Sequence, residues 1–225
     1  MSLISALKKS LPIGLKKPVR KSLKFIRYTY RRVLITIPVL RNQPIRIILG
    51  AAETSQEGWY ATNEQWLDIT RADHWKNVFH GKKILTNMVA EHVFEHLTYE
   101  ECQRTLRNIS NHMEKEGRIR IAVPDGYNPD PEYLRHVGIC GIGDDAADHK
   151  QLLNVDILSG LLSEAGFAPT HIEGYTKSGE LIQKPHTRED GFIWRSRINH
   201  TAQDNKKPWA FPDAQTSLII DGIKL

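Results

Sequence analysis

Acidic residues are missing from the first 52 positions of this chain. That stretch holds twelve of the 31 Lys and Arg and none of the 26 Asp and Glu, so the remainder is net acidic although the whole chain carries +5. The overall charge therefore averages a polybasic segment with a mildly acidic one, and only the former is an electrostatic footprint. Cysteine is scarce: Cys102 and Cys140 are the only two, 38 positions apart and without CxxC spacing. That excludes a disulfide framework, and reduced thiols in a cytoplasm are expected. Long apolar runs are missing too. Val33 to Leu40, the longest apolar stretch near the start, is about half of what a bilayer span needs, and nothing before Lys8 has the apolar core of a signal peptide. No internal repeat is present.

What is present divides at about residue 43. Residues 1–43 form a basic arm in which Phe25, Tyr28 and Tyr30 interleave with Lys, Arg, Leu and Ile, while Pro12, Gly14 and Pro18 are expected to break it into short pieces. A solvated tail packing Val33 to Leu40 on the domain, docking on an anionic membrane surface and nucleic-acid contact all fit that composition. No nucleic-acid motif accompanies the charge, which makes the last the least expected.

From residue 44 to 225 the pattern alternates between strands and helices. Pro44 to Gly50 reads as a buried strand and Trp59 to Thr62 as a second. Trp66 to Thr70 precedes a helix opened by Thr70 with Trp75, Val78 and Phe79 inward. Thr98 with Glu101 three residues on is a capping box, starting a helix that runs to about Glu114. Arg118 to Val123 is a strand, Pro131 to Val137 a short helix, and Asn154 to Ala165 a helix closed by Gly166. Thr170 to Tyr175, Glu180 to Gln183, Gly191 to Arg195 and Ser217 to Ile223 are strand candidates. Residues 200–214 are expected to form a loop over the cleft. The alternation argues for an α/β fold with a largely parallel sheet.

The stretch from Lys83 to Leu97, KILTNMVAEHVFEHL, reads as a strand delivering a loop and a helix start, which gathers Asn87, Glu91, His92, Glu95 and His96 near a strand's carboxyl end. Arg118 to Gly126 ends similarly, in Pro124 and Asp125. Two such ends make a cleft of the kind in which open α/β sheets bind ligands.

In this order, IILGA (47–51), GWYATNEQWLDIT (58–70), AEHVFEHLTYEE (90–101), EGRIRIAVPDGYNPDPEYL (116–134) and DHK (148–150) make the chain resemble a short class I S-adenosylmethionine-dependent methyltransferase. The resemblance covers about residues 44–175, and the tail EDGFIWRS followed by SLIIDGIK is similar as well. It implies a Rossmann-like methyltransferase fold with a mostly parallel sheet, helices on both faces and a basic N-terminal extension. It also implies S-adenosylmethionine as cofactor, with Gly50 and Ala51 facing its methionine part, Asn63 or Glu64 accepting a ribose hydroxyl, and Asp68 reaching toward the adenine. Asn87, Val89 and Ala90 match the loop beneath the sulfonium, with Glu91 beside them. The family's usual GxGxG loop is here Gly50-Ala51-Ala52-Glu53, which places Glu53 near the cofactor's carboxylate, and the usual paired Gly before the fifth strand is Glu116-Gly117.

Methyl transfer to a hydroxyl needs positioning and a base, for which the candidates are His92, Glu91, Asp125 and His149. His149 is either a mobile group meeting substrate or a cap of the next helix; Asp125 is an acceptor-side carboxylate or a turn former; His96 is expected to brace neighbouring loops. The expected activity is methyl transfer to a small molecule or saccharide, with relatives often associated with surface-glycan pathways, in a bacterial cytoplasmic protein peripheral at the inner membrane face. Two alternatives accompany it. One is a non-catalytic scaffold tethered by the basic arm, given the altered Gly loop. The other is a zinc peptidase, since His92 to His96 fits H-x-x-E-H on one helix; no metal is expected otherwise.

Overall fold

The computed structural model describes residues 13–52, 54–143, 146–197 and 217–225. Its first element is a 28-residue helix, α1 (Ile13–Leu40). The expectation of a basic arm in short pieces is corrected here. Pro18 lies in the second turn, where it removes one helical hydrogen bond. Farther along, Tyr28, Ile35 and Val39 fall on one face and join the main core, and packing of that face outweighs the local break. At the carboxyl end of α1, Lys82 Nζ donates to the carbonyls of Val39 and Leu40 at 2.7 and 3.3 Å, placing a cation where the helix dipole favours one. The boundary expected at 43/44 therefore does not separate two packing units.

The strands are β1 (Ile45–Leu49), β2 (Tyr60–Ala61), β3 (Leu85–Glu91), β4 (Met113–Pro124), β5 (Phe167–Tyr175), β6 (Leu181–Gln183) and β7 (Ser217–Lys224). They form one sheet in the order β2-β1-β3-β4-β7-β5-β6. β1 pairs in parallel with β2 and β3, and β3 with β4, whereas β7 lies antiparallel between β4 and β5, and β6 antiparallel to β5. Five strands thus point one way and two the other, a mixed Rossmann-like α/β sheet. The remaining helices are α2 (Ala72–Phe79), α3 (Tyr99–His112), α4 (Pro131–Val137) and α5 (Val155–Glu164).

The two faces of the sheet are covered unequally. Alternate strand residues Ile47 and Leu49, Met88 and Ala90, Ile119 and Ile121, and Leu218 and Ile220 meet residues of α1, α2, α3 and α5 in the larger apolar core. Residues of the opposite parity, Ile48, Val89, Ala122 and Ile219, belong to a smaller core closed by Trp59 and Ile193 from loops. Period-2 alternation assigns each set to its own face.

Several local expectations move by a turn or change type. α3 has the capping box, with Thr98 accepting from Glu101 N and the Glu101 carboxylate accepting from Thr98 N. It ends at His112, however, and Met113 already belongs to β4, paired with Leu85 ahead of a register shift. α2 is preceded by Arg71 as its N-cap rather than Thr70; Thr70 instead donates through both its N–H and hydroxyl to Asp68 Oδ1. Asn87, Val89 and Ala90 lie within β3, not in a loop after it, and beyond them Phe94–His96 is a single 3-10 turn rather than a helix start. Gly191 to Arg195 is not a strand, because the N–H groups of Trp194 and Arg195 bond a carboxylate instead of a neighbouring strand. The loop at 200–214 and Glu53 lie outside the described residues.

Candidate functional site

Where the parallel strands β1, β3 and β4 end, a cavity of about 590 Å³ opens, lined among others by Gly50, Ala51, Ala52, Glu91, His92, Pro124, His149 and Trp194. This is the carboxyl edge at which open α/β sheets bind ligands, and the volume is that of a small-molecule site. On one side the chain turns sharply, with both Gly50 and Ala52 at positive φ. Arg31 on α1 fixes this turn by donating to the carbonyls of Ala52 and Thr54 at 3.0 and 3.2 Å. Gly50 has a second reason to be glycine: a Cβ there would lie 2.8 Å from Val93 Cγ2.

A strap from about residue 186 to 197 closes the second face and supplies Phe192, Trp194 and Arg195 to the cavity. Charged side chains hold it. Glu91 accepts from the N–H groups of Trp194 and Arg195 at 3.0 and 2.8 Å, and Arg120, wholly buried, donates to the carbonyls of Thr187 and Gly191 while pairing with Asp221. Glu173 takes the Ser196 hydroxyl and the Arg197 N–H. At Gly191, φ is +127° and a side chain would overlap Val89, so the strap can lie against β3 only with glycine there.

The far wall carries histidines and acids. His92 has φ +52° and both ring nitrogens engaged: Nδ1 lies 2.9 Å from Glu95 Oε1 and Nε2 lies 3.2 Å from Ser217 Oγ. Serine, imidazole and carboxylate in that sequence have the order of a nucleophile relay, but Ser217 is 1 % exposed and is not part of the cavity wall, so the arrangement fixes His92. His149 is buried, and its Nδ1 lies 2.7 Å from the Val137 carbonyl. A carbonyl only accepts, so Nδ1 carries the proton and Nε2 of the neutral ring keeps its lone pair. His149 thus lies on the cavity wall with its Nδ1 anchored, and it is not a helix cap, since α5 begins at Val155 behind Asn154.

Burial opposes ionisation of Glu95, but His92, the backbone and His96 together outweigh it and hold the carboxyl below its ordinary range. Burial pushes the Asp125 carboxyl up, against the pull of the Tyr175 and Tyr127 N–H groups and of Arg197. Burial also pushes the Cys102 thiol up to about 12, which makes it inert.

Of the residues the sequence assigns to cofactor binding or base, the cavity brings together six: Gly50, Ala51, Val89, Glu91, His92 and His149. The others lie elsewhere. Asn63 is buried, its Oδ1 accepting from Gln65 N and its Nδ2 without a hydrogen bond among the described residues; Glu64 is exposed. Asp68 makes the turn before α2, Asn87 stands in mid-strand opposite Arg118, and Ala90 is in the core. Asp125 is fully buried and accepts from Tyr127 N and Tyr175 N, so of the two readings the turn former is the one present. Glu95, His96, His136, Asp148, Phe192, Trp194 and Arg195 also line the cavity. Of these, Glu95 and His96 stood in the central stretch, Asp148 in the DHK motif and Phe192, Trp194 and Arg195 in EDGFIWRS, the last four without an assigned role, and nothing local marks His136. The helical H-x-x-E-H reading is overturned, because His92 and His96 do not share a helix face and both His92 nitrogens are taken.

No helix among the described residues is long and apolar enough to cross a membrane. No protein-family model and no curated protein matches the chain. Among solved structures, it is similar to a SAM-dependent methyltransferase from Archaeoglobus fulgidus (13 % identity, TM-score 0.45, 86 % of this chain and 94 % of that one). An O-methyltransferase family protein from Burkholderia thailandensis matches at 9 % identity and TM-score 0.45, over 87 % of this chain and 55 % of the other. Magnesium protoporphyrin IX methyltransferase from Synechocystis PCC 6803, with bound SAH, matches at 10 % identity and TM-score 0.39, over 92 % and 87 %. At such distances the likeness carries no weight for activity, substrate or partner, and these rest on the cavity itself.

Proposed function

We propose that the chain is a methyltransferase that binds S-adenosylmethionine in this cavity and methylates a small molecule or saccharide. The observation that carries the reading is the placement of the cavity: it lies at the carboxyl ends of β1, β3 and β4, between a tight backbone turn and a wall of imidazoles. The residues present fit the cofactor in size and kind. The turn from Gly50 to Ala52, two of its residues left-handed, is a concavity suited to a carboxylate, and Phe192 and Trp194 offer apolar faces to a nucleoside. The cofactor supplies an electrophilic methyl group, and the chain contributes position and exclusion of water through its strap. An acceptor hydroxyl would be activated on the side of His92 and His149.

The test is calorimetric titration with S-adenosylhomocysteine. Wild type should bind, and Ala147→Trp, at an exposed position on the cavity wall, should abolish binding while leaving thermal unfolding unchanged. Gly50→Asp would be a poor probe, because it also collides with Val93. Wild-type protein that takes up no S-adenosylhomocysteine would leave the non-catalytic scaffold as the reading.

The same proposal places the protein in the cytoplasm, peripheral at an anionic membrane face. Ile26, Tyr30, Val33, Ile37 and Leu40, spaced alternately four and three residues apart on α1, are 56–62 % exposed, an apolar stripe opposite the face that carries Tyr28, Ile35 and Val39. The hydroxyls of Thr29 and Thr36 beside it bond back to the carbonyls of Phe25 and Arg32, and no acid occurs before Glu53. Like charge opposes pairing of two such helices, whereas anionic lipid complements both stripe and charge. Val33→Glu/Ile37→Glu should remove co-sedimentation with phosphatidylserine vesicles; unchanged sedimentation would discard the membrane, and a concentration-dependent dimer in solution would name a second copy instead.

A further inference from the structure

Glu95 is a carboxylate with 1 % exposure that faces the cavity, and neither of its oxygens has a hydrogen bond among the described residues. Of the two, Oε1 is ion-paired with His92 Nδ1 at 2.9 Å, and Oε2 has neither a hydrogen bond nor an ion pair among the described residues. A buried, ionised oxygen left without a donor is costly, which points to a ligand. Two imidazoles stand beside it: ligand atoms of Glu95, His96 and His149 all lie within 4.8 Å of one another, and the His96 and His149 rings meet edge to face, with centroids 4.9 Å apart.

We propose that Glu95, His96 and His149 form a binding site for a divalent transition-metal cation of the zinc type. The surroundings are those that metal-binding histidines need. His149 spends its Nδ1–H on the Val137 carbonyl, leaving Nε2 to coordinate, and His96 Nδ1 sits 3.1 Å from Asp148 Oδ1, a carboxylate placed to orient its ring. His92 stands behind Glu95 as the carboxylate's outer partner. One carboxylate and two imidazoles form a donor set for zinc, cobalt or iron rather than for magnesium or calcium, which take oxygen ligands. Three protein ligands leave positions open to the cavity, the pattern of a site that takes a substrate oxygen rather than a closed structural one. This part rests on the methyl-transfer reading: an acceptor hydroxyl bound there would ionise more easily. The site is assembled from a 3-10 turn and a loop more than fifty residues away, and it is distinct from the overturned helical pattern because His92 is not a ligand.

The test uses the full-length, tag-free protein, stripped with a chelator and titrated with cobalt(II) while visible absorption and binding heat are followed. One equivalent should bind, displaceable by zinc and indifferent to excess magnesium. His149→Ala and Glu95→Gln should abolish the signal. Asp148→Ala, at an exposed side chain whose loss leaves the fold alone, should weaken binding about 10–100-fold. The proposal fails if wild type takes up no cobalt, if His149→Ala keeps its full equivalent, or if magnesium competes at equal concentration. Titrating S-adenosylhomocysteine into the same metal-free sample separates the two readings. Cobalt uptake without nucleoside binding overturns methyl transfer alone; nucleoside binding without cobalt uptake overturns the cation site alone.

Discussion

The two faces of the sheet are closed by different physics. On one, α2 and α3 bury Trp75, Phe79, Leu106 and Ile109 against β1, β3 and β4, so area removed from water provides the closure. On the other, a strap without regular structure is held by Arg120, Glu91 and Glu173 reaching its backbone. An apolar face seals without regard to direction, whereas a charged anchor fixes one atom at one distance and tolerates empty space beside it. The cavity lies on the side where closure is polar, and the difference shows how a small α/β chain keeps room for a ligand without losing its core.

The comparison can be broken most forcefully at one residue on each face. Trp75→Ala should cost about 3–5 kcal/mol by cavity formation, and Asp221→Leu a similar ~3–5 kcal/mol, because it strands the buried Arg120 guanidinium; denaturant titration reads both. The pair Arg120→Met/Asp221→Leu should recover most of the second loss, and no second substitution of that kind rescues the first. If the double variant stays as unstable as the single one, the polar face is held by more than charge pairing.

A smaller effect sharpens the contrast. Glu91→Gln should cost about 1–3 kcal/mol, lost mainly from the strap: amide exchange at Trp194 and Arg195 should accelerate while β3 and β4 stay protected. Uniform acceleration would show that strap and sheet open together. Smaller again, Thr98→Ala removes the cap of α3 and should cost about 1 kcal/mol, with no change in strap exchange.

The slightest effect is one of pH. Burial pushes the His112 imidazole below its ordinary value against the opposing Asn108 carbonyl, and does the same to His171 on β5 against the Glu173 carbonyl. An unfolded chain then binds protons that the folded one refuses, so stability should fall as pH drops below about 6.5. His112→Gln should flatten that slope more than His171→Gln, since His112 is the more buried; the reverse order would mean that β5 is drier around His171 than α3 is around His112.

How much of this is legible in the sequence follows from the range of each signal. β1, the Thr98 cap and the helix at Pro131 are written in neighbouring residues, and all appear where those residues put them. α1 is not, because its stability comes from Tyr28, Ile35 and Val39 meeting strands that local pattern cannot see. Gly191 to Arg195 has strand composition, but a carboxylate a hundred residues earlier takes its N–H groups. Gly50, His92 and His149 could be singled out by type and position. That Glu95 and His96 would face His149, while Asp125 turned inward to cap a loop, depends on how distant segments cross.

Arg31 reaches from the long helix to two carbonyls on the cavity's rim, and that single guanidinium makes the helix a handle for the doorway. Whatever the handle rests against decides which way the doorway points, so a surface gripping one end would also choose the direction from which molecules arrive.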